Sequence, residues 1–419
     1  MFKTLITAIK SKEIKNKIFF TLFILLMVRL GSFIPVPGIN ILKLKNIFLN
    51  NGILNIMDTF AGGSLSRFTI FALGIVPYIN ASIIMTLLAA GFDYLKELAK
   101  EDNKKITQIT RYLSVALAFI QAIGLTVLIN TTGAFSNQNI FTWTICVFTL
   151  TIGTIILMCL GELINKKGIG NGISLIIFIG IISRIPYLIF NTLSKIKIGE
   201  VSSFMSIFLL IALFLSVLGI VLVQQGERRI PIYYSKRVVG RKMYGGQNTF
   251  IPIKINQAGV IPIIFASSML VLPGTIVSIF FSNTNFELFF QEWFGVNTPI
   301  YVLIYIFLIM IFTFLYSMIA FNPIDISENL RKNGGFIPGI RPGKSTSETL
   351  QKILIRITIF GAAFLAIIAL LPNILGGIVG GIQLQFGGTS LLIAVGVALD
   401  TMKQIESQLL IDTYQGFLK

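Results

Sequence analysis

Gln224-Gln-Gly-Glu-Arg-Arg229 opens a basic connection that continues to Lys254, and strongly apolar segments lie on both sides of it. In membrane proteins, loops rich in lysine and arginine face the cytoplasm. A second connection, residues 322–356, has the same basic character. The two connections therefore predict the orientation of a membrane protein, and they indicate that a large partner docks on its cytoplasmic side.

The composition agrees with a chain that crosses a membrane many times. Of its 419 residues, 54% are hydrophobic and only 12% are charged, and the mean hydropathy is +0.85. Soluble globular domains have about 45–50% apolar and about 25% charged residues. The net charge of +17 lies mostly in alternate connections, which is the pattern of a polytopic membrane protein rather than of a nucleic-acid-binding one.

The residue types exclude several kinds of chemistry. The chain has no histidine, which removes the commonest general base and metal ligand. Its two cysteines, Cys146 and Cys159, fall within one apolar segment and cannot build a disulfide framework or a metal cluster. No nucleotide-binding loop of the G-x-x-x-x-G-K-[ST] type is present. We therefore expect no enzymatic activity, no metal and no cofactor.

Ten segments are long and apolar enough to cross a hydrocarbon core of about 30 Å as helices. Basic residues are concentrated on one side if both termini are cytoplasmic. The sequence therefore predicts an all-α membrane protein, and because five is odd, two five-helix halves (1–191 and 192–419) would be inverted repeats. Two large cytoplasmic loops would cover about 224–256 and 322–352. The ten spans are approximately 18–34, 71–90, 112–130, 141–163, 173–190, 204–223, 259–281, 300–321, 353–371 and 389–402.

Three features do not fit simple spans. The segment 55–67 is too short to cross, so it is either an ordinary outside loop or a short helix buried in the protein. Arg29 and Arg184 fall inside predicted spans, where a central charge costs about 2.5–3.5 kcal/mol. We find no obvious carboxylate in the spans to pair with them, because Glu162 and Asp400 lie near inner ends.

Seven motifs are distributed along the chain. They are Gly31-Ser-Phe-Ile-Pro-Val-Pro-Gly-Ile39, Leu73-Gly-Ile-Val-Pro-Tyr-Ile-Asn-Ala-Ser82, Gly168-Ile-Gly-Asn-Gly-Ile-Ser174, Gln225-Gly-Glu-Arg-Arg229, Ala258-Gly-Val-Ile-Pro262, Gly339-Ile-Arg-Pro-Gly343 and Phe386-Gly-Gly-Thr-Ser-Leu-Leu-Ile393. These motifs resemble the SecY family, the central subunit of the bacterial protein-conducting channel. They occur in the family's order, and the resemblance covers essentially the whole chain.

The resemblance implies an hourglass pore between the inverted halves, closed by a ring of aliphatic side chains and by a short plug helix. From the residues alone, isoleucines that face lipid or neighbouring helices are the simpler interpretation of the ring positions. Spacing of i and i+4 does place two pairs of them on one helix face each. The ring would be Ile75, Ile79, Ile173, Ile177, Ile264 and Ile393, and the plug, within 55–67, would include Phe60, Gly62, Gly63 and Ser64.

The resemblance also implies a lateral gate between the second and seventh spans, and docking of the SecA motor or the ribosome on the basic loops. Ordinary hydrogen bonding between helices and the orientation rule are the competing interpretations of these two residue sets. The gate residues would be Asn80, Gln121, Ser267 and Ser268, and the docking residues Arg341, Arg241, Lys242, Arg228 and Arg229.

The function implied by the resemblance is a channel in the bacterial cytoplasmic membrane for unfolded secretory proteins. Signal peptides and membrane segments would leave it sideways into lipid, and small subunits of the SecE and SecG type would accompany it. A secondary transporter of small solutes is the alternative, because ten spans with inverted repeats are also typical of transporters. An intramembrane hydrolase is less favoured, because catalytic groups are lacking.

Overall fold

Each of the ten predicted spans overlaps a helix in the computed structural model of the chain. The structure describes residues 11–40, 58, 61–92, 94–95, 97–98, 103–131, 133–135, 139–186, 190, 194, 203–234, 237–239, 242–244, 248–281, 284–295, 298–378 and 388–417. The helices are α1 (Lys12–Gly31), α2 (Val76–Gly91), α3 (Asn103–Thr131), α4 (Ile140–Lys167), α5 (Gly172–Ile182), α6 (Ser203–Gln225), α7 (Ile261–Phe280), α8 (Asn285–Phe294), α9 (Pro299–Ala320), α10 (Pro323–Lys332), α11 (Lys344–Ile378) and α12 (Gly388–Phe417).

The helices confirm a polytopic, mostly helical membrane fold. Within the described ranges, four helical stretches are long and apolar enough to cross a membrane: Lys104–Asn130, Ile140–Lys167, Pro299–Lys332 and Lys344–Leu371. Four shorter apolar helices lie at other predicted spans, namely Val76–Ala89, Gly172–Ile182, Ile211–Gln225 and Ile261–Gly274.

Three helix bounds differ from the predicted spans for local reasons. Helix α2 begins at Val76 rather than near residue 71, because Gly74 has a positive φ of 59° and Pro77 starts the helix in its first turn. Helix α5 ends at Ile182, so Arg184 lies beyond the helix rather than inside it. Helix α12 continues to Phe417, well past the predicted end.

The chain divides into two compact units. Unit 1 comprises Met1–Ser203, Ser267–Leu303 and Val397–Lys419, and unit 2 comprises Phe204–Ala266 and Ile304–Gly396. This division by contacts differs from the predicted halves 1–191 and 192–419. The halves are defined by a sequence repeat rather than by contacts, and they stay a prediction.

Close backbone approach shapes the helix packing in unit 1. A Cβ atom on Gly172 of α5 would lie 2.0 Å from the carbonyl oxygen of Gly161 on α4, and one on Gly153 would lie 2.0 Å from that of Ile70. Such distances leave no space for a side chain, so glycine permits these crossings. The unit's largest described core cluster includes Leu73, Ala122, Leu125, Leu150 and Val271.

The motif Gly168–Ser174 forms the tight turn between α4 and α5. Asn171 is the N-cap of α5, and its Oδ1 accepts hydrogen bonds from the backbone N–H groups of Ile173 and Ser174, at 3.2 and 3.5 Å. Gly170 has a φ of 91°, and its N–H donates to Oε1 of Gln404 at 2.7 Å. The turn therefore joins α12 to this end of unit 1.

Unit 2 contains a β-sheet that the sequence analysis did not predict. The basic connection after α6 forms β1 (Glu227–Tyr234), β2 (Arg237–Val239), β3 (Lys242–Tyr244) and β4 (Asn248–Lys254), and β5 (Gly335–Phe336) follows α10. The sheet order is β4-β1-β5, with both pairings antiparallel, while β2 and β3 form a separate hairpin. The inward side chains of the sheet, Ile230 and Ile253, share a core with Leu350 and Leu354 of α11.

Candidate functional site

The described part of the predicted plug is a buried segment of turns. Residues 61–75 make consecutive turns, and Leu65 and Phe68 are each only 1% exposed. Asp58 is helical, while Phe60 and the rest of 55–60 lie outside the described residues. Because its apolar side chains are buried in the protein, this segment is not an ordinary solvent-exposed loop.

Asp58 holds the segment together from within. This carboxylate is 2% exposed, and its Oδ1 accepts a hydrogen bond from the N–H of Ser66 at 2.8 Å. The carbonyl oxygen of Asp58 accepts another from the N–H of Gly63 at 2.9 Å. Its second carboxylate oxygen, Oδ2, forms an ion pair with Arg184, just beyond the end of α5.

The predicted spans offer Arg29 and Arg184 no obvious carboxylate, and Arg184 finds its partner outside them. This partner is Asp58, in the short segment 55–67. Arg29 also contacts the segment, since its Nη1 donates to the carbonyl oxygen of Gly62 at 3.2 Å and to Oγ of Ser32 at 3.3 Å. Two arginines from separate parts of unit 1 therefore bind the same short segment.

Glycines bring the segment into backbone contact with its neighbours. A Cβ on Gly62 would lie 2.6 Å from Cα of Gly180 in α5, and Gly62 has a φ of 66°. A Cβ on Gly74 would lie 3.3 Å from Cα of Ala61. Of the predicted plug residues, Gly62 and Ser64 are buried and Gly63 is half-buried. The small side chains of this segment thus permit a fit that larger ones would prevent.

The predicted ring isoleucines are placed in both units. In unit 1, Ile75, Ile79 and Ile177 are buried, whereas Ile173 is half-buried and packs towards Gly161. Ile75 lines a small cavity together with Ala61 and Ser64 of the segment and with Gly180. In unit 2, Ile264 and Ile393 are also buried, at 6% and 0% exposure. The convergence of all six side chains on one ring stays a prediction.

The predicted gate residues lie on three helices of unit 1. Asn80 on α2 is 1% exposed, and within the described part of the chain neither atom of its amide group has a hydrogen-bond partner. The amide oxygen of Gln121 on α3 is also buried and, within the described residues, also has no hydrogen-bond partner. Ser267 and Ser268 on α7 are buried. A buried amide group without a hydrogen-bond partner costs free energy. Asn80 and Gln121 are therefore the gate candidates best suited to a new partner.

The predicted docking residues lie in unit 2, with Arg341 exposed on a turn between two glycines. Gly339 and Gly343 have φ values of 77° and 106°, which favour glycine. The carbonyl oxygen of Arg341 accepts a hydrogen bond from Oγ1 of Thr346 at 2.9 Å, and that of Gly343 accepts one from Oγ of Ser327 at 2.7 Å. The turn is therefore fixed while the guanidinium is free to reach outward.

The other docking candidates differ in how completely they are described. Arg228 and Arg229 are exposed at the start of β1, and Nε of Arg229 donates to Oε1 of Glu227 at 2.7 Å while its guanidinium lies 4.7 Å from the ring centre of Phe250. Lys242 lies on β3, but its side chain is not described, and Arg241 lies outside the described residues.

The sequence analysis missed Asp58 as a functional residue. The available signal in the sequence was an acidic residue in the short segment 55–67, which also contains Arg67. A second missed pair is Arg111 on α3 with Glu162 on α4, whose two hydrogen bonds both measure 2.5 Å. Arg111 and Glu162 link neighbouring helices rather than the segment.

Comparisons with known proteins give one consistent result. The family model described as SecY matches residues 69–402. The chain belongs to the SecY family. The protein translocase subunit SecY of Halalkalibacterium halodurans is 44% identical over 433 residues, with 100% of both chains covered.

Solved structures of SecY and of its relative Sec61 have the same fold. One, described as showing that the plug domain of SecY stabilises the closed state and maintains a membrane seal, gives a TM-score of 0.69 at 21% identity, covering 94% of this chain and 92% of that chain. Another, Sec61 in a canine ribosome–channel complex from the endoplasmic reticulum, gives a TM-score of 0.65 at 19% identity, again covering 94% of this chain and 92% of that chain.

The ion pair predicts that Asp58→Asn loosens the segment. Removing one partner of a buried pair costs about 3–5 kcal/mol, and Arg184 is partly exposed, so we expect a smaller cost here. With Cys146 and Cys159 replaced, a cysteine introduced by Ser64→Cys should react with an impermeant maleimide at least tenfold faster in the Asp58→Asn background. Glu13→Gln, which breaks an exposed pair with Lys17, is the matched control and should not change the rate. Equal rates for Asp58→Asn and Glu13→Gln would contradict the role given to the ion pair.

Proposed function

We propose that this chain is the protein-conducting subunit of a translocase, which passes unfolded secretory proteins across a membrane and releases membrane segments sideways into lipid. The observation that carries the proposal is the segment formed by Asp58 and residues 61–75, which packs against α1 and α5 instead of lying in solvent. Membership of the SecY family supports the same function and disfavours the alternative of a small-solute transporter.

At rest, the segment acts as a plug and the isoleucines act as a seal. Non-helical backbone inside a membrane protein is tolerated where it is buried in protein or lines a cavity. The contact of Ile75 with the cavity beside Ala61 and Ser64 supports a plug seated next to the ring. A constriction lined by aliphatic side chains excludes water by dewetting, yet it can part around an extended chain without binding it.

Lateral release requires a seam that a signal peptide can replace. Hydrogen bonds between membrane helices contribute only about 0.6–2 kcal/mol each, so a seam of polar side chains opens at low cost. Buried Asn80 and half-buried Gln121 hold unpaired amide atoms within the described residues, which supports their use in contacts with an incoming segment or a companion subunit.

The basic loops orient the chain and dock its partners. By the distribution of lysine and arginine, both termini and both loops face the cytoplasm of a bacterial cell, and the chain crosses its cytoplasmic membrane. The partners are SecA and the ribosome at the loops, and small subunits of the SecE and SecG type in the membrane. The arginine guanidinium suits carboxylate or RNA phosphate groups, since its donors form a fixed fork.

The energy for transport comes from these partners, and the chain itself provides a path rather than a reaction. The pore divides the sequence into the halves 1–191 and 192–419, which are inverted with respect to each other. In this arrangement the plug belongs to the first half, and the docking loops belong to the second.

The proposed function predicts ATP-dependent protection of a labelled preprotein from external protease. The assay uses liposomes that contain the chain and its small subunits, with SecA and ATP added. Protection should disappear when the chain is left out or when ATP is withheld. Absence of protection with a SecA preparation that is active on a known channel would contradict the proposal.

The ring predicts that Ile79→Gly combined with Ile177→Gly raises the ion conductance of the resting channel. Removing two buried aliphatic side chains widens and wets the constriction. Planar-bilayer recording without SecA or preprotein measures the effect, which we expect to be at least tenfold. The control pair, Ile207→Gly with Ile211→Gly on the exposed face of α6, adds the same two glycines outside the ring and should leave conductance unchanged. Equal conductance in both double variants would remove these two isoleucines from the seal.

The exposed turn predicts that Arg341→Glu lowers SecA-driven translocation at least tenfold while the fold stays intact. The reversed charge repels the partner carboxylate or phosphate that the arginine would bind. Lys344→Glu is the matched control, because Lys344 is exposed three residues later and begins α11, where a negative charge suits the helix terminus. Protection of preprotein and thermal stability are measured for both variants. If Arg341→Glu transports as well as Lys344→Glu does, the turn is not the docking site.

A further inference from the structure

Helix α8, which connects α7 to α9, presents an uncovered aromatic face. Its apolar residues recur at i, i+3, i+4, i+7 and i+8, which places them on one side of a helix. None of the ten residues of α8 is buried, and three of the rings are about half exposed, at 48% for Phe286, 52% for Phe289 and 50% for Trp293. The face consists of Phe286, Phe289, Phe290, Trp293 and Phe294.

The helix is fixed by its own sequence. Thr284 is the N-cap, and its Oγ1 accepts a hydrogen bond from the N–H of Glu287 at 3.4 Å. Thr284 and Glu287 have the spacing of a capping box, and the acidic side chain also suits the first turn. Nε2 of Gln291 donates to Oε1 of Glu287 at 3.2 Å on the polar side. The aromatic face is therefore already formed and does not depend on a partner to fold.

Short connections hold α8 close to the ends of α7 and α9. Residues 281–284 join it to α7 and residues 295–298 join it to α9, and Pro299 begins a stretch apolar enough to cross a membrane. Four extended residues span at most about 14 Å. Backbone hydrogen bonds from Thr284 to Phe281 and from Thr298 to Gly295 shorten both connections further. Helix α8 thus cannot move far from the level at which α9 enters the bilayer.

The chemistry of the helix fits the interface of a membrane. Tryptophan and other aromatic residues are favoured at the boundary between headgroups and acyl chains. The connection 282–298 has no lysine or arginine and contains two acidic residues, Glu287 and Glu292. The helix would therefore bind the membrane through burial of its aromatic face and not through attraction to anionic headgroups.

We propose that α8 lies in the plane of the bilayer interface, with its aromatic face between the headgroups and the upper acyl chains. The partner is the lipid surface itself, irrespective of its charge. The helix thereby anchors the C-terminal end of α7, at Phe280. This anchoring is independent of what passes through the channel.

Trp293 provides the test. The chain has only two tryptophans, so Trp143→Phe leaves Trp293 as the single tryptophan, whose emission is measured with excitation selective for indole. In phosphatidylcholine nanodiscs, lipid brominated near the headgroup end of its acyl chains should quench Trp293 emission at least twofold, and aqueous acrylamide should quench it weakly. Adding phosphatidylglycerol should not change either result. Strong acrylamide quenching without quenching by brominated lipid would overturn the proposal.

Two adjacent residues give a matched pair of variants in the same background. Phe289→Glu puts a charge on the aromatic face, whereas Leu288→Glu puts the same charge on the opposite face, at a side chain that is 67% exposed. We expect Phe289→Glu to shift Trp293 emission to the red and to reduce quenching by brominated lipid, and Leu288→Glu to do neither. Equal responses of the two variants would overturn the lipid assignment. Protection of Trp293 from acrylamide that depends on protein concentration instead of lipid would indicate a protein partner and would also overturn it.

Discussion

The pairing of backbone polar groups constrains this fold most strongly, because hydrocarbon offers no water to replace a missing hydrogen bond. Helices satisfy the requirement by themselves, but residues 61–75 are not helical and must find partners. They do so in two ways: through their own turns and through the motif Gly31–Ile39. The N–H of Val36 donates to the carbonyl oxygen of Phe68 at 2.9 Å, and the N–H of Ile70 donates to that of Ile34 at 3.1 Å.

The charges and the apolar side chains of the segment have different effects. Burial of side chains such as Leu65 and Phe68 stabilises by about 1.5–3 kcal/mol each, and this contribution does not depend on the ion pair. A buried ion pair gains little net free energy, because desolvation offsets attraction. Asp58 and Arg184 therefore select one position of the segment, while apolar burial keeps it in the protein. Such a plug is well positioned but displaceable, as a channel requires.

Sequence patterns gave good predictions where a single physical rule dominates. Hydrophobic length predicted ten spans, each of which overlaps a helix of the structure, and the glycines of Gly168–Ser174 and Gly339–Gly343 occupy turns that need them. The β-sheet of unit 2 was missed because positive charge concealed the alternation at Ile230 and Ile232. The pair Asp58–Arg184 was missed because its residues are 126 positions apart and only the folded chain brings them together.

Irregular backbone serves opposite purposes in the two units. In unit 1, residues 61–75 are buried, so their carbonyl and N–H groups are used internally and the segment presents small residues to its neighbours. In unit 2, the turn Gly339–Gly343 uses Thr346 and Ser327 to satisfy its carbonyl groups, which leaves the side chain of Arg341 exposed. The positive charge of a loop would by itself orient the chain in the membrane, but it would not define a contact with a partner. A fixed turn next to a small sheet adds a defined geometry, and this geometry is the reason that Arg341 is proposed as a docking residue ahead of the other basic residues of the loops.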